Sequence, residues 1–573
     1  MILLFKPREK EYIGKGNLPF GTYDNTKEWQ PITKYLEKGA EIFPDKTMFR
    51  VADRDGNLID TFTYKETNTQ ANRVANGLIN KYKIEKGDRV GIYMLNSAEY
   101  VISIIAVHKA GAVQVPINKD EKGERLAYII NYSEMKVLVI DRESIPMVEQ
   151  IAGELEHLEH VFVTGEGDLP KDIGGIKTLP FASFGEFSGK NPGLDVRASD
   201  VERCMFTSGT TGMPKGVSRN HGGVILTVRG YLQQQGVRSE DVLMSVLTLG
   251  HANAQVMCLF TAIGAGATAV FYPRFSASSF WKWAAECGAT CVNMLGAVAE
   301  YLWAAEPSEW DNKHGIRLVL SGPAPRNLKE FQERFNTRAI DGYGSTEMGM
   351  VLWNDPEDTR PGSSGRPMEG YYVEIRDPQD TSRVMRPFWD SSENPKPPEE
   401  AKGLLFIKPL IPHTTLNEYF KDERRTREAF DDDGFFNSDD LFAQGIDGRY
   451  YFQGRFSRIR VSGENVDPIA VQDFAMQYPA VQEAVVVGIR LPNVSDDEIK
   501  LNITLKKGEK FDPVEFSKWM AEIAPVFMVP RFIEVYEEGF PVTATQKIRV
   551  AEIKEISDKT WDRSKTGLKF RVR

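Results

Sequence analysis

The sequence predicts an α/β protein in which a large part, built from two doubly wound layers, precedes a smaller α+β unit. Three observations support this prediction. Strands and helices alternate between about residues 67 and 163, alternate again after residue 217, and give way to short strands and turns from about residue 365. At 573 residues, with 41% hydrophobic and 27% charged side chains, the chain is long enough to bury several cores.

The first run of alternation begins with a helix. Apolar residues recur at helical spacing between 67 and 82, and R-V-G-I-Y-M (89–94) has the continuous apolar character of a buried strand. We expect Asn96 and Glu99 to cap the next helix, which ends near Gly111. The alternation continues through strands at 112–116, 136–140 and 160–163 and helices at 123–134 and 143–156. This order predicts a mostly parallel sheet covered on both faces.

The second run of alternation predicts a second layer of the same kind. Strands are expected at 242–247, 267–271, 290–294 and 316–320, with helical stretches between them. In sheets of this kind, ligands bind beyond the carboxyl ends of the strands.

The last third of the chain has a different pattern. Short strands are expected at 371–375, 403–407 and 449–452, and the proline-rich, charged segment 382–401 has the composition of an exposed insertion. After Gly454 the pattern is that of a separate small α+β unit. Its expected elements are strands near 484–489 and 499–506 and a helix near 513–522.

Composition excludes several classes of function. Acidic residues outnumber basic ones by 81 to 71, a net charge of −10, so no nucleic-acid partner is expected. Four cysteines, Cys204, Cys258, Cys287 and Cys291, are too few for a disulfide framework, and we expect them to be buried free thiols in a reducing compartment. Because no apolar run reaches 18 residues and the N-terminal run is too short for a signal peptide, we expect a cytoplasmic protein without a membrane span.

The segment T-S-G-T-T-G-M-P-K-G (207–216) carries the most specific chemical signal. Its glycines let the backbone turn tightly around a ligand, its hydroxyls are donors, and Lys215 is a mobile cation, a combination that suits nucleotide phosphates. It is not the common P-loop, because Pro214 and Gly216 stand where that motif needs Gly and Ser or Thr. The flanking residues read as strands that enter and leave the loop. A flexible polar hairpin is the competing interpretation.

Further segments offer other groups that a nucleotide needs. D-G-Y-G-S-T-E-M-G (341–349) supplies Tyr343 to stack on a base, Thr346 to bond a phosphate and Glu347 to hold Mg²⁺. Asp440 can accept two hydrogen bonds from ribose hydroxyls, and Arg455 and Lys547 follow in later motifs. Each has a plain alternative: Asp440 as a cap, Arg455 on the surface, and Lys547 solvated.

Taken in order, these segments resemble the adenylate-forming superfamily, which includes acyl-CoA synthetases, firefly-type luciferases and peptide-synthetase adenylation domains. The resemblance covers residues from about 30 to 555. H-A-N-A-Q (251–255) and G-E-N (463–465) are most similar to short- and medium-chain acyl-CoA synthetases, and the first of them to crotonobetaine/carnitine-CoA ligases. The resemblance to this superfamily implies an N-terminal adenylation domain (1–455) of two doubly wound subdomains and a small distorted β-barrel. A small mobile α+β C-terminal domain (456–573) follows.

The resemblance also implies roles for individual residues. The Gly-rich loop binds the ATP phosphates through Thr207, Ser208, Gly209, Thr210, Thr211 and Lys215. Two later segments bind the adenine through Gly322, Pro323, Ala324, Asp341, Gly342, Tyr343 and Gly344. Asp440 and Arg455 hold the ribose. Thr346 contacts the α-phosphate, and Glu347 and Thr207 bind Mg²⁺. Lys547 is the catalytic lysine that bridges the substrate carboxylate and the α-phosphate. His251 lies near the acyl group and the thiol tunnel, with a packed histidine as the alternative.

The chain departs from the family's pattern at three positions. The hinge position carries Ser457 where Asp or Lys is common, and Asp439 and Gln546 stand where Gly is usual. These departures affect the expected domain rotation and the local backbone shape rather than the reaction.

The acyl pocket is expected to draw on 251–255, 293–298, Gly322 and 348–350. Asn253, Gln255 and Asn293 would make its wall polar, which favours a short or medium-chain polar acid over a long fatty acid. The alternative is that these amides form hydrogen bonds within the protein interior.

The implied reaction is AMP-forming synthesis of an acyl-CoA from an acid, ATP and CoA. The carboxylate attacks the α-phosphorus, pyrophosphate leaves, and the CoA thiol then displaces AMP. Lys547, Lys215 and Mg²⁺ offset the repulsion between the two anions, and the C-terminal domain rotates between the half-reactions. Two alternatives stay open: transfer to a carrier-protein pantetheine or an oxidation in place of CoA, and a non-catalytic nucleotide sensor. The sequence leaves a homodimer open.

Overall fold

The computed structural model describes the greater part of the chain, namely residues 29–207, 213–325, 327–378, 380–393, 396–455, 459–461, 464–466, 468–491, 494, 496–537, 539–541, 553–568 and 570. Several predicted site residues lie outside these ranges: Ser208, Gly209, Thr210, Thr211 and Lys547, together with Ser457 at the predicted hinge position and Gln546. Arg455 is described by its backbone alone.

Most helices of the described residues follow the apolar periodicity of the sequence, whereas the short helix Glu423–Glu428 is polar throughout and has no buried residue. The helices are α1 Ile32–Ile42, α2 Tyr64–Asn80, α3 Ala98–Lys109, α4 Gly123–Tyr132, α5 Ile145–Ile151, α6 His221–Gln235, α7 Thr261–Ala265, α8 Phe280–Cys287, α9 Gly296–Ala304, α10 Leu328–Phe335, α11 Glu423–Glu428, α12 Pro468–Met476 and α13 Pro513–Ile523. Helix α2 begins at a capping box, in which Thr63 accepts from the backbone N–H of Glu66 and the Glu66 carboxylate accepts from that of Thr63. A π-helical segment, Ala254–Phe260, leads into α7.

The cap of helix α3 differs from the prediction. Ser97, and not Asn96, caps this helix, because the Ser97 hydroxyl accepts from the amide three residues later. The Asn96 side chain is used elsewhere. It donates to the carbonyls of Leu247 (2.9 Å) and Tyr272 (3.0 Å) and accepts from the N–H of Leu249 (2.7 Å). Asn96 therefore joins the two layers of the protein.

The strands lie close to the predicted apolar runs. They are β1 Thr47–Ala52, β2 Leu58–Thr63, β3 Arg89–Tyr93, β4 Val113–Pro116, β5 Val137–Asp141, β6 His160–Thr164, β7 Asp172–Ile173, β8 Ile176–Pro180, β9 Val201–Thr207, β10 Lys215–Asn220, β11 Val242–Ser245, β12 Thr268–Phe271, β13 Cys291–Leu295, β14 Leu318–Gly322, β15 Arg338–Ile340, β16 Gly342–Ser345, β17 Gly349–Trp353, β18 Ser363–Pro367, β19 Tyr371–Arg376, β20 Lys402–Pro409, β21 Leu416–Tyr419, β22 Phe436–Gln444, β23 Tyr450–Arg455, β24 Ile459–Val461, β25 Glu464–Val466, β26 Val481–Arg490, β27 Asp497–Leu505, β28 Phe532–Val535 and β29 Trp561–Asp562.

Two large, mostly parallel sheets confirm the two predicted layers. Within the described residues their strand orders are β21-β10-β9-β4-β3-β5-β6-β8-β7 and β15-β14-β13-β11-β12-β1-β2. The Gly-rich segment joins β9 to β10, which pair as an antiparallel hairpin at the end of the first sheet. The predicted entering and returning strands of this loop are thus confirmed.

A third sheet follows, antiparallel, in the part of the chain where the resemblance implies a small barrel. Its order is β16-β17-β18-β23-β22-β20-β19. Beyond it come the hairpin β24-β25 and a sheet of order β26-β27-β28-β29, packed on α12 and α13 around a core that includes Leu501, Phe516 and Met520. The expected strands and helix of this last part are all present.

The composition of segment 382–401 predicted an exposed insertion, but in the structure part of this segment is buried. Trp389 is only 4% exposed, and its ring packs edge-on against Tyr451 at 4.8 Å between centroids. Its carbonyl accepts from the N–H of Ile446 (3.0 Å), and Ser391 accepts from the Tyr451 hydroxyl (2.8 Å). One buried tryptophan therefore holds an otherwise polar segment on the third sheet.

All four cysteines are buried free thiols, as predicted. Among the helices of the described ranges, none combines the length and apolar character that crossing a bilayer requires.

Candidate active site

The predicted nucleotide segments begin where parallel strands end. Strand β9 ends at Thr207, β14 ends at Gly322, and β15 ends one residue before Asp341. Carboxyl ends of parallel strands are where α/β sheets bind ligands. The fold therefore places these three segments at sheet edges suited to a site.

The Gly-rich loop and the Y-G-S-T-E segment meet at Lys215 and Glu347. Lys215 Nζ lies 2.9 Å from Glu347 Oε1, although 132 residues separate them. The Tyr419 hydroxyl completes a triangle, 3.2 Å from Lys215 Nζ and 3.1 Å from Glu347 Oε1. The side chains of Lys215 and Glu347 are 10% and 8% exposed. An ammonium and a carboxylate so nearly desolvated interact more strongly than a surface pair.

Sequence reasoning missed Tyr419. It lies on β21. This strand pairs with β10, the strand that begins at Lys215, and the pairing places Tyr419 beside Lys215. The Lys215 ammonium also lies over the Tyr419 ring, 4.3 Å from its centroid. No local motif marks this tyrosine, because its partners come from distant segments.

Tyr343 and Asp440, predicted for base and ribose, lie together. The Tyr343 hydroxyl donates to Asp440 Oδ2 at 2.5 Å, and both side chains are buried. The antiparallel pairing of β22 with β23 sets Asp440 directly opposite Arg455. The two residues predicted to hold the ribose are therefore backbone neighbours.

The backbone at Asp439 has the shape that a glycine would allow. Its φ is +60°, in the left-handed region that glycine adopts freely. The backbone at Asp439 therefore adopts a left-handed conformation at the position where the superfamily usually has glycine.

Asp341 is a buried carboxyl group close to the segment Gly322–Pro323–Ala324. Burial raises its pKa to about 7, against hydrogen bonds from the backbone N–H groups of Gly342 and Ala324, the charge of Arg460 and a hydrogen bond from Ser364. The predicted adenine segments 322–324 and 341–344 are thus joined through this one side chain. Asp341 changes its charge near neutral pH.

The residues predicted for Mg²⁺ have suitable donor chemistry. Glu347 offers a carboxylate, and the Thr207 hydroxyl oxygen is buried with no hydrogen-bond partner among the described residues. Carboxylate and hydroxyl oxygens are hard ligands, which Mg²⁺ prefers. These two residues fit the ion.

His251 contacts a residue from the last part of the chain. Its Nε2 lies 2.6 Å from Glu464 Oε1, in the G-E-N segment. The Glu464 charge, outweighing burial, raises the pKa of His251. Burial acts to raise the pKa of Glu464, but the charge and hydrogen bond of His251 outweigh it and lower that pKa. His251 is therefore an ion-pair partner of Glu464, a contact that the sequence did not reveal.

The amides of the predicted acyl pocket divide into two groups. Gln255 is fully buried and donates to the carbonyl of Leu249 at 2.6 Å, so it faces the protein interior. Asn293 instead donates to Asn253. Asn253 is half-exposed and lies two residues from His251. Asn293 is buried, at 2% exposed, so of the three predicted amides only Asn253 is open to a ligand, with Asn293 holding its oxygen from behind.

Comparisons with known proteins identify the family of this chain. The family model described as "AMP-binding enzyme" matches residues 36–387, more than half of the chain. A crotonobetaine/carnitine–CoA ligase of Salmonella paratyphi A is 31% identical over 521 residues, which cover 88% of this chain and 95% of that protein. The enzyme of the same name from Escherichia coli O139:H28 is 30% identical, with 89% and 96% covered.

Solved structures of CoA ligases share the fold. An anthranilate CoA ligase in complex with anthranoyl-AMP superimposes with a TM-score of 0.69 at 25% identity, covering 93% of this chain and 98% of its own. The o-succinylbenzoate CoA synthetase of Bacillus subtilis gives 0.75 at 20% identity, with 93% and 99% covered. The chain therefore belongs to the AMP-binding enzyme family, the adenylate-forming superfamily that its motifs resemble, and is an AMP-forming acyl-CoA synthetase.

Proposed function

We propose that this synthetase activates a short or medium-chain polar carboxylic acid, with ATP and Mg²⁺ in the first half-reaction and CoA in the second. The contact between Lys215 and Glu347 supports the nucleotide part of this proposal. It joins the cation of the Gly-rich loop to the carboxylate of the Y-G-S-T-E segment, and both are groups that a Mg²⁺–triphosphate needs.

In the first half-reaction a carboxylate oxygen of the acid attacks the α-phosphorus of ATP, and the bond to pyrophosphate breaks. Because both reactants are anions, the chain must supply positive charge. Lys215 exchanges its partner Glu347 for phosphate oxygens, and Lys547 bridges the carboxylate and the α-phosphate. Thr346 donates to the α-phosphate. Glu347 and Thr207 would hold Mg²⁺, which would supply further positive charge for the pyrophosphate.

In the second half-reaction the CoA thiol, having lost its proton to solvent, attacks the acyl carbon as the thiolate; the bond from that carbon to the AMP oxygen breaks, and AMP leaves with the bonding electrons. We propose that residues 456–573 form a unit that moves between the half-reactions relative to 1–455. The contact between Glu464 and His251 lies between these two parts of the chain. His251 borders the acyl group and the path of the thiol, so the contact is well placed to respond to such a movement.

We base the polar acid on the Asn253–Asn293 pair. Asn293 holds the oxygen of the half-exposed Asn253 amide, and a purely apolar chain would desolvate the remaining N–H groups of Asn253 without replacement, at a cost of about 1–3 kcal/mol for each group. The curated relatives are named for crotonobetaine and carnitine, and the 25% identical structure for anthranilate, all of them small polar acids. Such acids form the first panel to test.

The experiment mixes the protein, ATP, MgCl₂ and CoA with a panel of acids and measures AMP, pyrophosphate and acyl-CoA. The panel varies the charge, the aromatic character and the chain length of the acid, with crotonobetaine, carnitine, anthranilate, butyrate and palmitate. We expect AMP and acyl-CoA in equal amounts with a small polar acid, and little product with palmitate. Label from ¹⁸O-carboxylate should appear in AMP.

Three outcomes would contradict the proposal in different ways. ADP as the product would exclude adenylation. Formation of AMP and pyrophosphate without acyl-CoA would favour an acceptor such as a carrier-protein pantetheine. Nucleotide binding without turnover of any acid, unaffected by Lys547→Ala, would favour a sensor.

A further inference from the structure

Arg219 is a buried arginine that the motifs do not include. It lies on β10, four residues after Lys215, and is 2% exposed. Because side chains two and four apart on a strand share a face, Lys215 and Arg219 project from the same side of β10. Burying a guanidinium is costly unless its donors are used; Nε of Arg219 has no hydrogen-bond partner among the described residues, and both Nη atoms do.

The guanidinium of Arg219 binds two backbone carbonyls from different segments. Nη1 donates to the carbonyl of Thr346 at 3.1 Å, and Nη2 donates to that of Thr414 at 2.8 Å. The first acceptor belongs to the peptide that joins Thr346 to Glu347. The second precedes β21, the strand that carries Tyr419. One side chain therefore connects three segments of the candidate site.

Two glycines form the slot that holds this guanidinium. A Cβ at Gly223 would lie 2.2 Å from Arg219 Nη2, and one at Gly349 would lie 2.9 Å from the same atom. Gly349 also has a φ of +74°, which disfavours a side chain there. Any larger residue at either position would displace the guanidinium. The slot thus fits Arg219 closely.

The charge of Arg219 is retained despite its burial. Burial and the like charge of Arg203 lower its pKa to about 10, while the charges of Tyr371, Glu202 and Glu347 oppose them. At neutral pH the group is still a cation. Its two bonds are therefore charge-assisted, which makes them stronger than neutral hydrogen bonds.

Two side chains of strand β10 thus bind the dipeptide Thr346–Glu347. Lys215 binds the Glu347 side chain, and Arg219 binds the backbone immediately before it. We propose that Arg219 is a positioning residue for adenylation, which fixes the Thr346–Glu347 peptide so that the hydroxyl meets the α-phosphate and the carboxylate meets Mg²⁺. This inference rests on the proposed function and deepens it.

The test compares the two half-reactions in Arg219→Met and Arg219→Lys. Adenylation is followed by acid-dependent exchange of pyrophosphate into ATP, and thioester formation by the reaction of supplied acyl-AMP with CoA. We expect Arg219→Met to lower the exchange rate about 10- to 100-fold, the effect of losing the one charge-assisted bond that holds the Thr346 carbonyl. The Mg²⁺ concentration for half-maximal exchange should rise, while the KM for the acid stays unchanged. Arg219→Lys, which keeps the charge, should recover part of the rate.

Arg334→Met is the matched control. Arg334 also donates to two backbone carbonyls, those of Trp303 (2.7 Å) and Ala305 (2.8 Å), and in addition pairs with Asp311 (2.8 Å), so its removal should cost at least as much stability as that of Arg219. It should lose stability without changing the Mg²⁺ requirement. Thermal melting of each variant separates folding from chemistry, and if Arg219→Met fails to fold, the Mg²⁺ titration of Arg219→Lys decides.

Two results would overturn the inference. One is an equal loss in both half-reactions with an unchanged Mg²⁺ requirement, which indicates a structural role alone. The other is an exchange rate equal to that of the unaltered protein. Failure of the proposed function looks different, because the unaltered protein would then release no AMP with any acid.

Discussion

Glu464 Oε1 lies 2.6 Å from His251 Nε2, and this contact joins parts of the chain that are 213 residues apart. The two side chains are 27% and 41% exposed, so water and salt reach the pair. Asp120 and Arg460 add charge around it, because the Asp120 charge also acts on His251 and the Arg460 charge on Glu464.

This contact should hold most firmly in mildly acidic solution. The pKa of His251 is raised from 6.5, so its contribution is complete below that pH and is lost as the pH rises through the raised value. The pKa of Glu464 is lowered from 4.5, so its contribution is complete above that pH and is lost on acidification. Amide hydrogen exchange of β24 and β25 should therefore be slowest between about pH 4.5 and 6.5, after correction for intrinsic rates.

Glu464→Gln should remove this dependence on pH, and with it the salt sensitivity of the contact. The exposed Glu483 gives a control, since Glu483→Gln should leave the profile unchanged. An unaltered profile in Glu464→Gln would show that the ion pair does not hold the hairpin in place.

Lys215 and Tyr419 should contribute unequally to adenylation. Lys215→Met removes a cation that we assign to the phosphates, and we expect a fall of about 100- to 1000-fold in pyrophosphate exchange. Tyr419→Phe removes one neutral hydroxyl, and a loss below about 10-fold is expected. Lys313→Met, which breaks a surface pair with Glu309, is the control. Equal losses in both variants would indicate that the contacts among Lys215, Glu347 and Tyr419 only stabilise the fold and that Lys215 does not bind the phosphates.

Asp440 should recognise the ribose hydroxyls of ATP. Asp440→Asn is expected to raise the KM for ATP about 10-fold, since a charge-assisted bond becomes a neutral one. The unaltered enzyme should discriminate against 2′-deoxy- or 3′-deoxy-ATP, and the variant should discriminate less. If both enzymes reject the deoxynucleotides equally, Asp440 does not contact that hydroxyl.

Asp341 should make stability depend on pH. Its pKa is raised from 3.8 to about 7, so the folded state holds a proton that the unfolded chain releases above about pH 4. Stability therefore falls as the pH rises from about 4 to 7, by an amount on the order of 4 kcal/mol. Asp341→Asn should remove this slope in denaturant midpoints measured from pH 4 to pH 8. The same slope in both proteins would contradict the prediction.

Asp439 should tolerate glycine better than alanine. At a φ of +60° an alanine Cβ costs about 1 kcal/mol, whereas glycine has no Cβ and aspartate adopts this region more readily than most residues. Asp439→Gly should match the unaltered protein in free energy of unfolding within about 0.5 kcal/mol, and Asp439→Ala should be lower by about 1 kcal/mol. Chemical denaturation measures both. An alanine variant as stable as the glycine variant would mean that the backbone relaxes.

The fold was largely predictable, because buried parallel strands are continuous apolar runs such as 89–94 and 136–140. Lys215 and Glu347 could be selected from the sequence because the motifs that contain them are local, and the structure brings these two side chains together. Tyr419 and Glu464 were not, since their partners meet them only through tertiary structure. Asn96 was misassigned for the same reason, as three distant backbone groups bind its side chain in place of the helix end. The role of Trp389 was obscured by the polar residues around it.

Because its four cysteines are buried, the folded protein should react only slowly with thiol reagents. Burial raises the pKa of Cys204 and of Cys291 to about 12, and raises that of Cys258 and Cys287 as well, so none ionises near neutrality. In a disulfide-exchange assay with a coloured leaving group, the signal would then come from free CoA alone. Consumption of CoA could be followed continuously against a flat background, and a single cysteine introduced on the surface could be labelled without removing the native ones.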